Sequence, residues 1–260
     1  MQIHVLASGS TGNATLVQMA GANILVDAGI SARRIKNALA AQGTAVEDLD
    51  AILVTHEHRD HVAGLPTLSR KYRLPIYARP AAWQAMDNDG IGAGIAAESR
   101  RDLAAGLDIG KLKIEPFSLS HDAADPVGFS FFDRHEKCAL ATDLGFVTDT
   151  VKKGLAFADA LVLEANHDVD LLKQGSYPWF LKQRILSNRG HLANTDAGWT
   201  LARLPRKNNC HVFLAHLSQE NNRPELAEAT VAGILGEQGC AVGTDITLDL
   251  TYPDRTASLK

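Results

Sequence analysis

Three histidines and an aspartate stand within six residues, just after the apolar segment at residues 50–54. They are His56, His58, Asp60 and His61, and the whole chain has only ten histidines. A solvated polar loop is a poor explanation for this density. Alternate residues of an extended segment face the same side, so His56 and His58 can share one ion. Asp60 and His61 then face a second position, and the spacing predicts a site for two metal ions.

Further ligand types stand at the ends of later apolar segments, where open sheets place their functional groups. We expect His121 to complete the first metal position, His216 to complete the second, and Asp143 to bridge the ions. A hydroxide between the ions would complete the coordination. Imidazole and carboxylate ligands without cysteine suit Zn²⁺ or Mn²⁺, and the sequence leaves both possible. The predicted ligands are His56, His58, Asp60, His61, His121, Asp143 and His216.

The segments that carry these ligands predict two similar halves, residues 1–110 and 111–260. In the first half, short strands and tight turns precede a helix around Ile35 and Leu39 and the strand before the histidines. Strands again precede helices in the second half, and residues 246–252 alternate as a final strand. Two sheets, each covered by helices on one side, predict a single α/β (α+β) domain with four layers, αββα. Residues 88–106 are expected to be a mobile surface loop.

Composition excludes several classes of protein. At 260 residues and 45% hydrophobic content, the chain can bury a large core. No apolar stretch resembles a signal peptide or a membrane span, so we expect a cytoplasmic protein without membrane association. Three widely spaced cysteines predict buried free thiols in a reducing compartment. The net charge of −4 argues against a nucleic-acid coating protein but not against a nuclease, because divalent ions add positive charge to a cleft.

The sequence around the ligands resembles the metallo-β-lactamase superfamily over nearly the whole chain. The resemblance is narrower for the YycJ (WalJ) type. The motifs that carry it are ASGSTGN at 7–13, SHDA at 120–123, TDLG at 142–145, EANHD at 164–168, GHLAN at 190–194 and AHLS at 215–218. The resemblance implies a metallo-β-lactamase sandwich and a dinuclear metal-dependent 5′-to-3′ exonuclease related to RNase Z and RNase J. The nucleophile implied is a metal-bridging hydroxide, and the implied biological role is DNA repair or replication.

Two departures from these relatives bear on the substrate. RNase J inserts a large β-CASP domain that 260 residues cannot contain. The flexible arm with which RNase Z grips tRNA is not evident either. Both departures favour DNA over RNA as the substrate.

His191, in a Gly-His-Leu turn after a basic stretch, is the expected proton donor or phosphate contact. Its position is similar to that of an RNase Z histidine that acts beside a glutamate, and Glu164 resembles this partner. A carboxylate orients a neighbouring imidazole and raises its pKa. Alternatively, His191 caps a helix and Glu164 makes a structural hydrogen bond. The residues expected to act in catalysis are Asp60, Asp143, His191 and Glu164.

Residues 177–189 combine aromatic and basic side chains directly before His191. Trp179 could stack on a base, and Lys182, Arg184 and Arg189 could bind phosphates. The alternative is an amphipathic helix with its aromatic residues in the core and its charges in solvent.

Two further residues are expected to support the ligands without binding metal. Asp27 ends a strand beside small residues and is expected to brace the histidine loop. His167 belongs to the EANHD motif, but no metal position remains for it.

The same residues are also compatible with other functions. A thioester or lactone hydrolase similar to glyoxalase II would use the same ligands, since an activated water attacks carbonyl and phosphoryl centres alike. A non-catalytic scaffold that binds nucleic acid is a third possibility, although an intact ligand set argues against it. The sequence leaves open the choice of DNA, RNA or a small molecule, the polarity of cleavage, the metal and the oligomeric state.

Overall fold

The chain is described by a computed structural model that covers residues 1–259. In the first half, short segments rich in β-branched and aliphatic residues form strands, as expected for half-buried or buried positions of a sheet. The strands are β1 (Gln2–Ala7), β2 (Ala14–Met19), β3 (Ala22–Val26), β4 (Ala51–Leu53), β5 (Ile76–Ala78) and β6 (Arg100–Asp102). The helices are α1 (Ala32–Ala41), α2 (Arg59–Val62), α3 (Leu65–Tyr72) and α4 (Pro80–Asn88).

The second half begins with strands and then becomes mostly helical. Its strands are β7 (Leu107–Ile109), β8 (Leu112–Ser118), β9 (Val127–Phe132), β10 (Lys137–Ala141), β11 (Ala160–Glu164), β12 (Cys210–Ala215), β13 (Ile246–Leu250) and β14 (Ala257–Leu259). Its helices are α5 (Asp149–Leu155), α6 (Val169–Gln174), α7 (Trp179–Ile185), α8 (Asn194–Arg203) and α9 (Pro224–Glu237).

The strands form two mixed sheets with the same plan. The first has the order β14-β1-β2-β3-β4-β5-β6 and the second the order β13-β12-β11-β10-β9-β8-β7. In each sheet one end is antiparallel, and the other end contains three parallel pairs. The parallel pairing of β10, β11 and β12 brings their carboxyl ends to one edge. In this register Ala141 lies beside Leu163, and Glu164 beside Ala215.

Three separate apolar clusters establish the layers. One lies between the sheets and includes Ile3 and Val17 of the first sheet and Phe129 and Phe213 of the second. The other two join each sheet to the helices on its outer face. Burying one such phenylalanine contributes about 1.5–3 kcal/mol, so these clusters hold the layers together. The predicted αββα order is confirmed. The division into one domain with two halves stays a prediction.

The structure differs from the sequence-based expectation in three elements. Residues 246–252 do not form the final strand, because β14 follows and pairs with β1 of the other sheet. The apolar residues Val62, Leu65 and Leu68 predict one helix, but the structure divides this segment into α2 and α3 at Gly64. A Cβ at this glycine would lie 2.9 Å from the carbonyl oxygen of Ala28, so only glycine allows the backbones to approach this closely.

Residues 88–106 are not a plain loop. They contain two short 3₁₀ turns and the edge strand β6, and Ile95 and Leu103 are buried. The indole Nε1 of Trp83 donates a hydrogen bond of 3.0 Å to the carbonyl oxygen of Arg101. The alternating pattern was too short in this segment to indicate a strand.

Two expectations about the chain as a whole can be compared with the described residues. Cys138, Cys210 and Cys240 are buried free thiols, as predicted. Within residues 1–259, no helix has the length and apolar character needed to cross a membrane. The cytoplasmic location stays a prediction.

Candidate metal centre

Three acidic or imidazole side chains stand where strands end, on unusual backbone. Asp27 follows β3, Asp143 lies two residues beyond β10, and His216 follows β12, with φ angles of 61°, 64° and 56°. Left-handed backbone at a residue other than glycine costs about 1–3 kcal/mol and persists only where the surroundings enforce it. At these positions the sharp turn directs the side chains into one cleft at the sheet edges.

The histidine loop reaches the same cleft from the first sheet. His58 precedes the single turn of α2, and the backbone N–H of His61 donates to the His58 carbonyl at 2.8 Å. This turn separates the pair His56 and His58 from the pair Asp60 and His61. His56 and His61 are almost fully buried, so their rings are held by packing.

The ligand atoms gather in the two groups that the sequence predicts. One atom from each of His56, His58 and His121 lies within 4.8 Å of the others. In this group His56 Nε2 and His58 Nδ1 face each other at 3.0 Å. Asp60, His61 and His216 form a second group at the same limit.

Asp143 lies between these groups. Its Oδ2 is 3.2 Å from His61 Nε2, and its Oδ1 is 3.8 Å from His121 Nε2. The carboxylate also forms a group with His56 and His61 in which one ligand atom of each lies within 4.8 Å of the others. This position suits a bridging carboxylate, and the assignment of residues to ions stays a prediction.

In three of the imidazoles, the nitrogen that faces away from the cleft already makes a hydrogen bond. Nδ1 of His121 donates to the carbonyl of Gly190 at 3.0 Å. Nδ1 of His61 donates to Asp27 at 2.7 Å, and Nδ1 of His216 donates to Glu164 at 2.8 Å. Each bond puts the ring proton on Nδ1 and leaves Nε2 as a lone pair that faces the cleft. This is the tautomer that a metal ligand needs.

Buried atoms without partners also point to ions. Among residues 1–259, Asp143 Oδ2 and His216 Nε2 are buried and have no hydrogen-bond partner. Native proteins rarely leave such atoms unpaired, because burial without a partner costs free energy. Divalent ions between the two groups would satisfy both atoms, and the donor set of imidazoles and carboxylates suits them. The residues therefore fit a divalent metal site.

Asp27 lies behind the histidine loop, where a supporting residue is expected. Its Oδ1 accepts from the backbone N–H of Thr55 at 2.9 Å, and its Oδ2 accepts from the Thr55 hydroxyl at 2.9 Å. Because this hydroxyl donates to Asp27, it can accept from His56 Nδ1, 3.0 Å away. Asp27 thus orients His61 directly and His56 through Thr55.

Glu164 has the same role in the second half, with more partners. Its Oε1 accepts from His191 Nδ1 at 2.9 Å and from His216 Nδ1 at 2.8 Å. Its Oε2 accepts from the backbone N–H groups of Leu144 and Leu192. Glu164 is fully buried, so it is placed to act through the two imidazoles and not on a substrate. These contacts suit a residue that positions other groups, and the catalytic role expected from the sequence stays a prediction.

His191 lies at the open side of the centre. Its side chain is 19% exposed, and its ring centroid is 5.1 Å from that of His121 and 5.2 Å from that of His216. Burial disfavours the charged ring, but the charges of Glu164 and Asp143 and the hydrogen bond to Glu164 together raise the pKa of His191. Burial favours neutral Glu164, but its imidazole partners, His191 foremost, lower the pKa of Glu164 to about 2. Neither residue caps a helix.

The structure corrects the prediction for Lys182. This side chain is buried, and its ammonium donates to the carbonyl oxygens of Lys173 at 2.8 Å and Gly175 at 2.6 Å. These contacts hold the end of α6 against α7. Lys182 therefore belongs to the scaffold and is not available to a phosphate.

The two arginines of this segment do lie beside the centre. Arg189 Nε donates to the carbonyl of His121 at 3.1 Å, and Arg184 Nε donates to Asp122 at 2.5 Å. Both side chains are exposed. The aromatic residues of α7 are not core residues, since Trp179 is 63% and Phe180 is 72% exposed. Phe180 is four residues before Arg184 and therefore shares its helix face.

His167 is buried near Glu164, and no hydrogen bond links it to the expected ligands. Neither ring nitrogen has a hydrogen-bond partner within residues 1–259. Burial lowers the pKa of His167 to about 4. Its supporting role stays a prediction.

Two residues at the centre were not singled out from the sequence. Asn13 Nδ2 lies 3.1 Å from His61 Nε2, and its Oδ1 accepts from the Gly9 N–H at 3.0 Å. Asp122 places Oδ1 3.3 Å from His121 Nε2, where this buried oxygen has no hydrogen-bond partner in the described chain. The signal for Asn13 was its position at the end of a glycine-rich turn, and for Asp122 its place directly after a ligand.

Comparisons with known proteins identify relatives of this chain. A family profile described as a β-lactamase superfamily domain matches residues 22–216. Exodeoxyribonuclease YycJ from Bacillus anthracis is 40% identical over 255 residues, which cover 97% of this chain and 96% of YycJ. Exodeoxyribonuclease WalJ from Streptococcus pneumoniae serotype 2 (strain D39) is 40% identical over 257 residues, which cover 98% of this chain and 96% of WalJ.

A solved structure is similar over the same length. The crystal structure of YhfI from Bacillus subtilis, described as a metallo-β-lactamase fold protein, matches with a TM-score of 0.74. The match covers 99% of this chain and 98% of YhfI at 16% identity. At this identity the likeness concerns the fold alone.

Proposed function

The chain belongs to the metallo-β-lactamase superfamily, in the group that includes YycJ and WalJ, and on this premise we propose that it is a dinuclear 5′-to-3′ exonuclease acting on DNA. Membership of the family makes it a metal-dependent hydrolase. Two occupied ion positions, DNA as the substrate and the polarity of cleavage are the finer parts of the proposal. The names of the near-full-length relatives support DNA as the substrate.

One observation carries the proposal. Two groups of metal-ligand atoms, the His191–Glu164 pair and two arginine side chains meet at one cleft. Cations beside the ligands suit a substrate with a phosphate at the reacting position and further phosphates next to it. A neutral ester or thioester substrate would not need these two arginines.

Two ions are proposed to be held by His56, His58 and His121 on one side and by Asp60, His61 and His216 on the other, with Asp143 shared. Bound there, divalent ions supply Lewis acidity towards phosphoryl oxygens and lower the pKa of a water molecule towards neutrality. The chain's own contribution is to orient the ligands, position the phosphate and move a proton.

His191 is the proposed proton donor. Glu164 holds its Nδ1, which leaves Nε2 as the nitrogen that faces an incoming strand. Cleavage that releases a mononucleotide from a 5′ end breaks the bond between phosphorus and the 3′ oxygen of that nucleotide. His191 Nε2 is proposed to protonate this 3′ oxygen as it leaves. A positioned acid of this kind contributes about 10²–10⁴-fold to a rate.

Arg189 and Arg184 are proposed to contact the phosphates that flank the scissile bond. Arg189 is held by one hydrogen bond to the carbonyl of His121, so the rest of its guanidinium is free to bind an oxygen. Arg184 is paired with Asp122 and must share or exchange this partner when a phosphate arrives. The exposed Trp179 and Phe180 are proposed to stack on bases further along the strand.

The proposal is tested with 5′-labelled and 3′-labelled single-stranded DNA and Mn²⁺-loaded protein, with RNA of the same sequence alongside. We expect labelled mononucleotide to appear early from the 5′ end and more slowly from RNA. Asp143→Ala should slow release of the mononucleotide by about 10³-fold or more. Asp108→Ala, which changes an exposed aspartate of β7, is the matched control and should cleave like the wild type.

Intact DNA and RNA in every lane, with metal bound to the protein, would contradict the nuclease proposal. A thioester such as S-lactoylglutathione would then be the next substrate to assay. Early release from the 3′ end would reverse the proposed polarity and leave the phosphodiesterase chemistry standing.

A further inference from the structure

A second groove lies next to the metal centre, on the side of α8. It has a volume of about 570 Å³ and is bordered by α8, α5 and the loops at residues 145–147 and 186–188. Ligand pockets in proteins usually measure about 300–1,000 Å³, so the groove has room for a nucleotide. We call it the α8 groove, and its relevant side chains are Phe146, Lys152, Leu186, Asp196, Trp199 and Arg203.

The α8 groove is continuous with the centre along the chain. Gly145 lines it two residues after Asp143, and Leu192 lines it one residue after His191. Hydrogen bonds join the loops that carry these residues. The Gly145 N–H donates to the Ser120 carbonyl at 2.8 Å, and the Ser120 hydroxyl donates to the Asn188 carbonyl at 2.6 Å. The groove is therefore built on the same backbone that carries the expected bridging ligand and proton donor.

Flat side-chain surfaces line the α8 groove. Phe146 is 43% exposed, and the Arg203 guanidinium lies over the Trp199 ring at 4.8 Å from its centroid. Arg203 has no carboxylate partner among the described residues. Aromatic rings and guanidinium planes are the surfaces on which proteins stack unpaired bases.

The α8 groove carries both a cation and a carboxylate, which suits a ligand with a phosphate at one end and a base at the other. Lys152 of α5 also lines the groove, and its only acidic partner in the described chain is Asp149 at 2.9 Å in an exposed pair. Exposed pairs of this kind contribute little, so the ammonium is available to a phosphate. On the α8 wall, Asp196 stands one helical turn before Trp199 and can accept a hydrogen bond from a base amino group.

We propose that the α8 groove binds the nucleotide next to the scissile phosphate, with its base on Phe146 and Arg203 and its phosphate towards Lys152. This proposal rests on the proposed function, because a DNA strand that reacts at the metal centre must extend away from it across one of its edges. The exposed aromatic residues of α7 then contact bases further along the strand. The α8 groove is the part of the surface that makes the enzyme favour a nucleotide over other phosphodiesters.

The test measures binding apart from cleavage. Metal-loaded wild type, Phe146→Ala and Arg203→Ala are titrated into a fluorescein-labelled single-stranded 12-mer with phosphorothioate linkages, and anisotropy gives the Kd. Because stacking on aromatic and guanidinium planes holds unpaired bases, we expect each variant to bind about tenfold more weakly. A 12-mer of abasic residues should bind the wild type weakly, and the two substitutions should change that Kd much less.

Two matched controls separate the groove from general surface effects. Phe157→Ala removes another exposed phenylalanine, and Arg134→Ala removes an exposed arginine from the turn between β9 and β10, at the opposite end of the strands from the centre. Both should keep the wild-type Kd within about twofold, as surface changes usually do. Thermal unfolding of all four variants shows whether each remains folded.

The outcomes distinguish this proposal from the proposed function. If Phe146→Ala and Arg203→Ala bind the base-bearing 12-mer like the controls while the wild type cleaves DNA, the groove proposal is overturned and the exonuclease remains. Equal weakening for base-bearing and abasic 12-mers would also overturn it, because the groove would then recognise only the backbone. If the wild type cleaves no DNA but its binding depends on Phe146 and Arg203, the groove remains and the exonuclease proposal fails.

Discussion

The two halves of the molecule bring ligand-type residues to the cleft in different ways. The first half delivers four of them in one short loop after β4, from His56 to His61. The second half delivers His121, Asp143 and His216 singly, from the ends of different strands. Asp27 holds the clustered loop through Thr55 and His61, whereas the distributed residues depend on the register of a parallel sheet.

Glu164 shows what the distributed arrangement requires. It ends β11, the strand between β10 and β12, and lies beside Ala215, the residue before His216. From this central position one carboxylate reaches His216 and His191 and also holds the backbone at Leu144. A slip of one residue in this register would turn Glu164 to the other face of the sheet. A change that shifts the strand register of the second half should therefore displace Glu164, His191 and His216 together.

The largest effect on DNA cleavage is expected for Asp143, which lies beside ligand-type residues of both halves, His61 of the first and His121 of the second. Asp143→Ala removes the carboxylate that lies between both ligand groups, so we expect DNA cleavage to fall by about 10³-fold or more. A chelator should abolish cleavage by the wild type, and added Mn²⁺ should restore it. Elemental analysis should show fewer ions per chain for Asp143→Ala than for Asp108→Ala. An unchanged metal content would remove Asp143 from the ligand set.

His191→Ala tests whether the distributed half supplies a proton donor separate from the ligands. We expect kcat to fall by about 10³-fold, within the usual range for loss of a general acid, while the metal content stays that of the wild type. A substrate with a p-nitrophenolate leaving group needs no protonation and should lose much less activity. Loss of an ion together with kcat would instead make His191 a ligand.

The two braces can be compared directly. In Glu164→Gln, the amide oxygen is needed by the N–H groups of Leu144 and Leu192, so the NH₂ faces His191 and His216. Both rings must then carry their proton on Nε2, which is the wrong tautomer for a ligand or an oriented acid. Asp27→Asn forces the same change on His61 and, through the Thr55 hydroxyl, weakens the contact that orients His56. Each substitution disturbs a ligand ring, so we expect metal affinity to fall about 10–100-fold for both, by metal-chelator competition. At saturating metal, kcat should fall further for Glu164→Gln than for Asp27→Asn, because only Glu164 also orients the proposed proton donor His191.

Equal kcat values for the two metal-saturated variants would mean that His191 does not depend on Glu164 for its orientation. Asp48→Asn and Glu98→Gln, which change exposed acids of the first half, are the matched controls for the amide substitutions. They should bind metal like the wild type.

The smallest effect on activity is expected for Lys182→Met. This change removes two buried hydrogen bonds from a charged group and leaves two carbonyl oxygens unpaired, so the free energy of unfolding should fall by about 2–3 kcal/mol. The KM for DNA should stay within about twofold, because Lys182 does not face the cleft. Lys173→Met, at an exposed side chain, is the control in denaturant unfolding. A higher KM with unchanged stability would return Lys182 to the substrate-binding set.

The residues near the centre differ in how well the sequence indicated them. The ligand types, the layer order and the buried cysteines followed from composition and period. Lys182 was placed with Arg184 and Arg189 because all three are basic and close in sequence, but the turn of α7 sends Lys182 inward towards α6. Strand β14 was missed because three half-buried residues carry no alternating pattern. Asp122 was quoted within a motif, but its contact with Arg184 joins positions that are far apart in the chain.

The clustered ligand-type residues of the first half and the strand that precedes them could be predicted from the sequence, because spacing and hydrophobic period act over a few residues. The tertiary structure alone decided that Glu164 joins His191 to His216, that Arg184 pairs with Asp122, and that a groove opens beside α8. These contacts join residues between 27 and 62 positions apart. Their distances depend on strand register and on the packing of helices against sheets, which no local pattern specifies.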